Sequence, residues 1–232
     1  MRVGILSDIH ANHTAVSAVV EELVENRIET LIIAGDTVGY YYEILKVREL
    51  LQSFTVIETL GNHELMLLCE DPAQWKQYGE KYGSGLSRNL KDLGLEGVKH
   101  IRSLPHPRSI AIENTRFLIS HGTPWNINQY LYADSPSELW DRFKSFSEDI
   151  FILGHTHHQM IKRMQGKLII NPGSVGQSRY GTPNADWAIL NLSDKSVTFK
   201  STPYSPKSIL EQCASFDPGL EILTRHLGDN IR

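Results

Sequence analysis

At 232 residues, with 41% hydrophobic and 22% charged residues, the chain has material for a substantial core, and neither disorder nor a membrane-embedded class is indicated. A net charge of −4 gives no general attraction for long nucleic acid, and nowhere do about 18 uninterrupted apolar residues predict a membrane span. Met1 to Asp8 reaches a carboxylate too soon for a secretory signal, and Cys69 and Cys213 form neither a ligand spacing nor a disulfide framework. A cytoplasmic protein with two buried structural thiols is the expectation.

In chain order, Val3 to Ser7 predicts a short strand that ends in Asp8-Ile9-His10. Thr14 to Glu25 follows with Val16, Val19, Val20, Leu23 and Val24 at helical spacing, so one helix face packs back on a sheet and opens a β-α-β unit. Thr30 to Ala34 is nearly continuous in apolar residues, as in a sheet covered on both faces, and runs into Gly35-Asp36. Glu43 to Gln52 predicts a helix, and the β-branched and aromatic segment Phe54 to Leu60 a strand delivering Asn62 and His63 through a glycine turn.

From Glu64 to about residue 95 the mixed three- and four-residue spacing of Trp75, Tyr78, Tyr82, Leu86, Leu90 and Leu93 predicts a helical insertion, its aromatics assigned to packing. Residues 109–112 and 116–120 form a hairpin ending in His121-Gly122. A helix from Pro136 to Phe146 and a strand from Asp149 to Leu153 lead to Gly154-His155-Thr156-His157. Strands over 160–164, 168–170, 187–192 and 196–201 close a largely antiparallel region, before a helical tail over about 205–232. No repeat or linker divides the chain, so one α/β domain spanning 1–232 is expected.

Five strand candidates therefore end in Asp8 and His10, Asp36, Asn62 and His63, His121, and His155 and His157. The carboxyl ends of parallel strands share one edge of a sheet, where α/β folds build their sites. Carboxylates, imidazoles and one amide oxygen, without thiolates, suit first-row divalent cations. Seven candidate ligands exceed the needs of one ion. Two ions sharing a carboxylate would use them all and suit in-line displacement at phosphorus.

The blocks Asp8-x-His10, Gly35-Asp36, Gly61-Asn62-His63-Glu64, His121 and Gly154-His155-x-His157 resemble the motif series of the calcineurin-like metallophosphoesterases. The likeness spans about 1–201. Gly35-Asp36-Thr37-Val38-Gly39-Tyr40 and Asn171-Pro172-Gly173-Ser174-Val175-Gly176-Gln177 are similar to its small bacterial and archaeal phosphodiesterase branch. The resemblance implies a four-layer αββα sandwich of two mixed β-sheets flanked by helices. It implies Asp8, His10 and His157 on one metal, Asn62, His121 and His155 on a second, and Asp36 bridging them.

The cofactors so implied are two ions of manganese, iron, zinc, nickel or cobalt, manganese foremost. The implied reaction is phosphodiester hydrolysis by a hydroxide between the cations, with catalytic His63 stabilising charge or donating a proton. Phosphomonoester hydrolysis, dinucleoside polyphosphate hydrolysis and a noncatalytic scaffold are the alternatives. A small phosphoester is the expected partner, with homo-oligomerisation left open. Asn12 and Arg179 are candidate substrate contacts, against turn capping and solvation, and the Tyr40-Tyr41-Tyr42 run either borders substrate or packs in the core. The chain departs from the wider family at Gly39, where many members place an Asp that orients the catalytic His, and at Ala11, commonly Gly.

Overall fold

A computed structural model describes residues 1–228. Its first five-stranded sheet has the spatial order β10 (Ser196–Pro203), β9 (Asn184–Asn191), β1 (Arg2–Leu6), β2 (Thr30–Ile33), β3 (Thr55–Glu58). The second has the order β4 (Arg108–Ile112), β5 (Thr115–Ile119), β6 (Ile150–Ile152), β8 (Lys167–Pro172), β7 (Gln159–Met164). In the first sheet β1, β2 and β3 run parallel; in the second β5, β6 and β8 do, and hairpin partners complete both sheets. The four late strands do not form one antiparallel region as the sequence suggested. β7 and β8 finish one sheet, while β9 and β10 finish the other by pairing back on β1.

The two-residue alternation of side chains sorts the apolar residues into layers. Val3, Ile5, Ile32, Ala188 and Leu190 of the first sheet meet Phe117, Ile119, Ile150, Ile152 and Ile170 of the second between the sheets. The intervening residues Leu6, Leu31, Ile33, Trp187 and Ile189 face outward beneath α1 (His13–Glu25), α2 (Ile44–Leu51) and α7 (Lys207–Phe216). On the opposite surface Leu118, Phe151 and Ile169 are covered by Trp140 of α6 (Ser137–Asp141) and Phe143 of the 3₁₀ turn Arg142–Ser145. The result is the expected αββα sandwich. The continuous helix expected over 136–146 is instead this helix and 3₁₀ turn.

The helical insertion extends past its expected end. It comprises α3 (Asn62–Leu67), α4 (Pro72–Tyr82) and α5 (Gly85–Ser103), the last kinked at Gly94, where φ is 58°. Asn62 and His63 thus lie on the first turn of a helix rather than in an open loop. Of the tail expected over 205–232, α7 and a 3₁₀ turn at Glu221–Leu223 are regular, and 229–232 lies outside the described residues. Cys213 is buried as expected, whereas Cys69 is only half-buried. No helix among the described residues is long and apolar enough to cross a membrane.

Trp187 ties these layers together. It is fully buried, and its Nε1 donates to Thr202 Oγ1 at 2.9 Å, whose hydroxyl in turn donates to Glu22 of α1 at 2.6 Å. Trp187→Ala is expected to destabilise by about 3–5 kcal/mol through the cavity it leaves. Denaturant unfolding checks this, and a loss below about 1 kcal/mol would contradict the layer assignment.

Candidate metal centre

The candidate ligands come from both sheets, which converge at one end of the sandwich. Asp8 and His10 follow β1, Asp36 follows β2, and Asn62 stands beyond β3; His121 follows β5, and His155 and His157 follow β6. Contacts between the loops lock this convergence. The amide of His155 donates to Asp8 Oδ2 at 3.0 Å, and Ser7 Oγ donates to the same oxygen at 2.6 Å. Gly154 approaches so closely that a Cβ there would overlap Ser7 Oγ.

All seven side chains are buried, and their donor atoms face one another. Asp8 Oδ1 lies 3.1 Å from His157 Nε2 and 3.8 Å from His10 Nε2. Asp36 Oδ2 lies 3.2 Å from His121 Nε2, which is 2.9 Å from Asn62 Oδ1 and 3.1 Å from His155 Nδ1. The nitrogens of His10 and His157 are 3.4 Å apart. Apart from the 3.8 Å between Asp8 and His10, these separations lie close to the edges of coordination polyhedra, about 3.0–3.4 Å for bonds of about 2.1 Å.

Backbone carbonyls decide which ring nitrogen faces inward. A carbonyl can only accept, so each contact requires N–H: His10 Nδ1 donates to Val38 O at 3.1 Å, His121 Nδ1 to Ala34 O at 2.8 Å, and His157 Nδ1 to Gln177 O at 2.7 Å. His155 is reversed, its Nε2 donating to Asn128 O at 3.2 Å, so its Nδ1 turns inward. In its neutral form each ring would aim a bare lone pair at the cluster, as metal-ligating histidines do. Asp8 Oδ1 is buried without a hydrogen-bond partner. An unpaired buried carboxylate oxygen is costly, and a cation among these donors satisfies it, so the residues fit divalent metal.

The titration of the cluster follows its crowding. Burial pushes the Asp8 carboxyl up, but His157 and His121 outweigh it and hold the group below its ordinary range. Burial likewise opposes Asp36, which His121 and His63 hold well down. Burial lowers His121, yet Asp36 and Asp8 reverse this and raise it to about 10. Burial and then the charge of His121 press His155 down to about 4.

The backbone is also held away from its ordinary conformations. Asp8, His10, Asp36, His155 and His157 all have φ between 52° and 69°. The left-handed region costs a residue with a Cβ about 1–2 kcal/mol, and such strain concentrates at functional sites. Glu64, quoted in the sequence block but given no role there, braces one of these loops. Its carboxylate accepts from the amides of Asp36 at 2.8 Å, Thr37 at 2.7 Å, Val38 at 3.1 Å and Gly61 at 2.8 Å. Burial and the Asp36 charge push Glu64 up to about 7, with the amide donors pulling the other way.

His63 directs Nε2 to within 4.0 Å of Asp36 Oδ2, while its buried Nδ1 has no hydrogen-bond partner. Aromatic rings hold it instead of a carboxylate. Tyr40 stacks on it with centroids 4.8 Å apart at 28°, and Tyr82, from the helical insertion, packs at 5.2 Å and 58°. Tyr82 is therefore a site residue that sequence spacing assigned to packing alone. Tyr41 and Tyr42 are buried toward α7 and border no substrate.

Asn12 does not meet its expected role as a substrate contact. It is fully buried as the N-cap of α1, accepting from Ala15 N at 2.9 Å and donating to Gly176 O at 2.8 Å and Tyr204 Oη at 3.2 Å. Arg179 is half-buried, its Nε has no hydrogen-bond partner, and its charge opposes the upward push of burial on Tyr40 and Tyr132.

The chain is similar to known proteins in both sequence and fold. The family model for the calcineurin-like phosphoesterase superfamily domain matches residues 1–195. A phosphodiesterase of Methanocaldococcus jannaschii is 28% identical over 183 residues, covering 79% of this chain and 89% of the relative. A serine/threonine-protein phosphatase of Escherichia coli is 26% identical over 196 residues, covering 76% and 89%. The crystal structure of a metallophosphoesterase from Sphaerobacter thermophilus superposes with a TM-score of 0.78 at 25% identity, covering 97% of this chain and 98% of the other.

Chelation of bound metal is expected to lower the melting temperature by about 5–10 °C. This corresponds to about 2.7 kcal/mol for a ligand at 100 times its dissociation constant, at roughly 2–4 °C per kcal/mol. Scanning calorimetry with and without chelator, followed by Mn²⁺ addition, measures it; identical melting curves would refute cation binding. Gly39 has φ 90°, and a Cβ there would overlap His63 Nδ1. Gly39→Asp is therefore expected to destabilise by at least about 1–3 kcal/mol, and an unfolding midpoint at or above that of the wild type would show that the aromatic clamp yields.

Proposed function

Because the chain belongs to the calcineurin-like phosphoesterase superfamily, we propose that it hydrolyses phosphodiesters with two divalent cations, manganese foremost. The observation that carries this reading is the inward turn of seven donor side chains, fixed for the four imidazoles by backbone carbonyls. Asp8, His10 and His157 would hold one cation, Asn62, His121 and His155 the other, and Asp36 would be shared. Bound there, the cations supply Lewis-acid charge neutralisation and acidify water.

The protein's own groups set the rest of the chemistry. Burial lowers the titration of His63 against the pull of Asp36, and its Nε2, turned toward the shared carboxylate, is the group that stabilises charge on the leaving alkoxide or gives it a proton. The Tyr40 and Tyr82 rings exclude water from the buried side of that imidazole and fix its plane. Glu64 holds the loop carrying Asp36, so the shared carboxylate does not swing with the charge it contacts.

A diester is favoured because it carries one negative charge. Among the described residues no lysine or arginine is buried. The similarity to a protein phosphatase supports phosphomonoester hydrolysis as the second reading.

The test is a metal-reconstituted assay of bis(4-nitrophenyl) phosphate against 4-nitrophenyl phosphate. Diester turnover is expected to dominate, and strong monoester cleavage without diester cleavage would overturn the preferred substrate class. His63→Asn should lower turnover by about 10²–10⁴ with metal content preserved. Wild-type turnover in that variant would remove His63 from the reaction.

A further inference from the structure

The protein has nine tyrosines, and the three that are exposed occupy one strip beside the metal centre. Tyr130 is 45% exposed, Tyr132 38% and Tyr180 55%. Tyr130 stacks directly on the candidate ligand His155, with centroids 4.1 Å apart at 24°. Tyr132 lies parallel to Tyr130 within 1° at 6.0 Å, because buried Leu131 between them turns inward and leaves its two neighbours on one side. His158 packs 6.0 Å from Tyr132, and Tyr180 meets His158 edge-on at 5.3 Å. A row of rings thus leads outward from the metal ligands.

Beside Tyr132 and His158 opens a recess of about 290 Å³, with Met160 apolar within it and Asp134 and Thr156 as polar lining. This is near the lower limit of small-ligand pockets, about 300 Å³, and suits one ring system rather than an extended apolar chain. The rings contribute little to the core, since much of their area stays in water. An aromatic patch with a polar rim, continuous with a reaction centre, has the character of a recognition surface.

We propose that this strip is the subsite for the planar base of a small nucleotide ester, stacked on Tyr132 and Tyr130 while its phosphodiester lies at the metal centre. The proposal rests on the phosphodiesterase reading and narrows its substrate class. Stacking on an exposed ring is tolerant of base identity, so the subsite selects planar groups over alkyl groups more than one base over another. Asp134 offers an acceptor to an exocyclic amino group at the end of the recess.

Two measurements decide it. The 4-nitrophenyl ester of thymidine 5′-monophosphate and methyl 4-nitrophenyl phosphate share leaving group and charge, so the ratio of their kcat/KM values reports the strip. That ratio is expected to be about 5- to 100-fold in the wild type, to collapse in Tyr132→Ala mainly through KM, and to be restored in Tyr132→Phe, which keeps the ring. A ratio near one, or one unmoved by Tyr132→Ala, overturns the proposal. Calorimetric titration of the metal-loaded protein with adenosine 5′-monophosphate and glycerol 3-phosphate provides a readout independent of turnover. If neither ester is cleaved, the phosphodiesterase reading falls and the titration still decides the strip: preference for the nucleotide supports it, and equal affinity overturns it.

Discussion

The site depends on lone pairs being forced to face one another out of water. Two carboxylates, four imidazoles and an amide oxygen converge with Asp8 Oδ1 buried among them without a hydrogen-bond partner, an arrangement that repels itself unless positive charge is present. Against the effect of burial, Asp36 and Asp8 raise the titration of His121 to about 10, so the enclosure favours positive charge. The fold must hold such an array together before any metal arrives. Positive φ at five of the ligands is part of what that preorganisation costs.

The sandwich meets the cost through its stiffest parts. Six of the seven ligands follow β1, β2, β5 or β6, strands whose apolar residues are buried between layers, so their loops have little freedom to relax. Glycines allow the two sheets' loops to touch: Gly154 lies against Ser7, and Gly176 against the carbonyl of Ile9. A Cβ at either position would push the two halves of the ligand set apart. Glu64 and Asn89 hold the remaining loop from behind, the latter accepting from Gly39 N at 2.8 Å and donating to Tyr41 O at 3.1 Å.

The imidazole outside the ligand set is held by different physics. Where relatives of this superfamily commonly use a carboxylate, the space beside His63 Nδ1 is closed by Gly39, and packing against Tyr40 and Tyr82 takes over. Stacking fixes a ring plane without adding a third carboxylate to a cluster that already carries two, and burial lowers the titration of the imidazole. The helical insertion thereby gains a part in the site through one tyrosine at its α4 terminus.

Much of this was legible in the chain itself. Alternating and near-continuous apolar runs determined the strands, because burial on one face or two imposes that pattern on any sheet. The punctuation of those runs by Asp, Asn and His determined which residues end up beyond strand ends, and hence the candidate ligands. Three-dimensional packing decided the rest. Which nitrogen of each histidine turns inward depends on carbonyls up to 87 residues away in sequence, as for His121 and Ala34, and a carbonyl has no residue-specific signature. Asn12 became a helix cap rather than a substrate contact because the Gly176 loop and Tyr204 close over its amide. Tyr82 and Tyr130 acquired their places beside His63 and His155 through contacts between remote segments, for which local spacing carries no information.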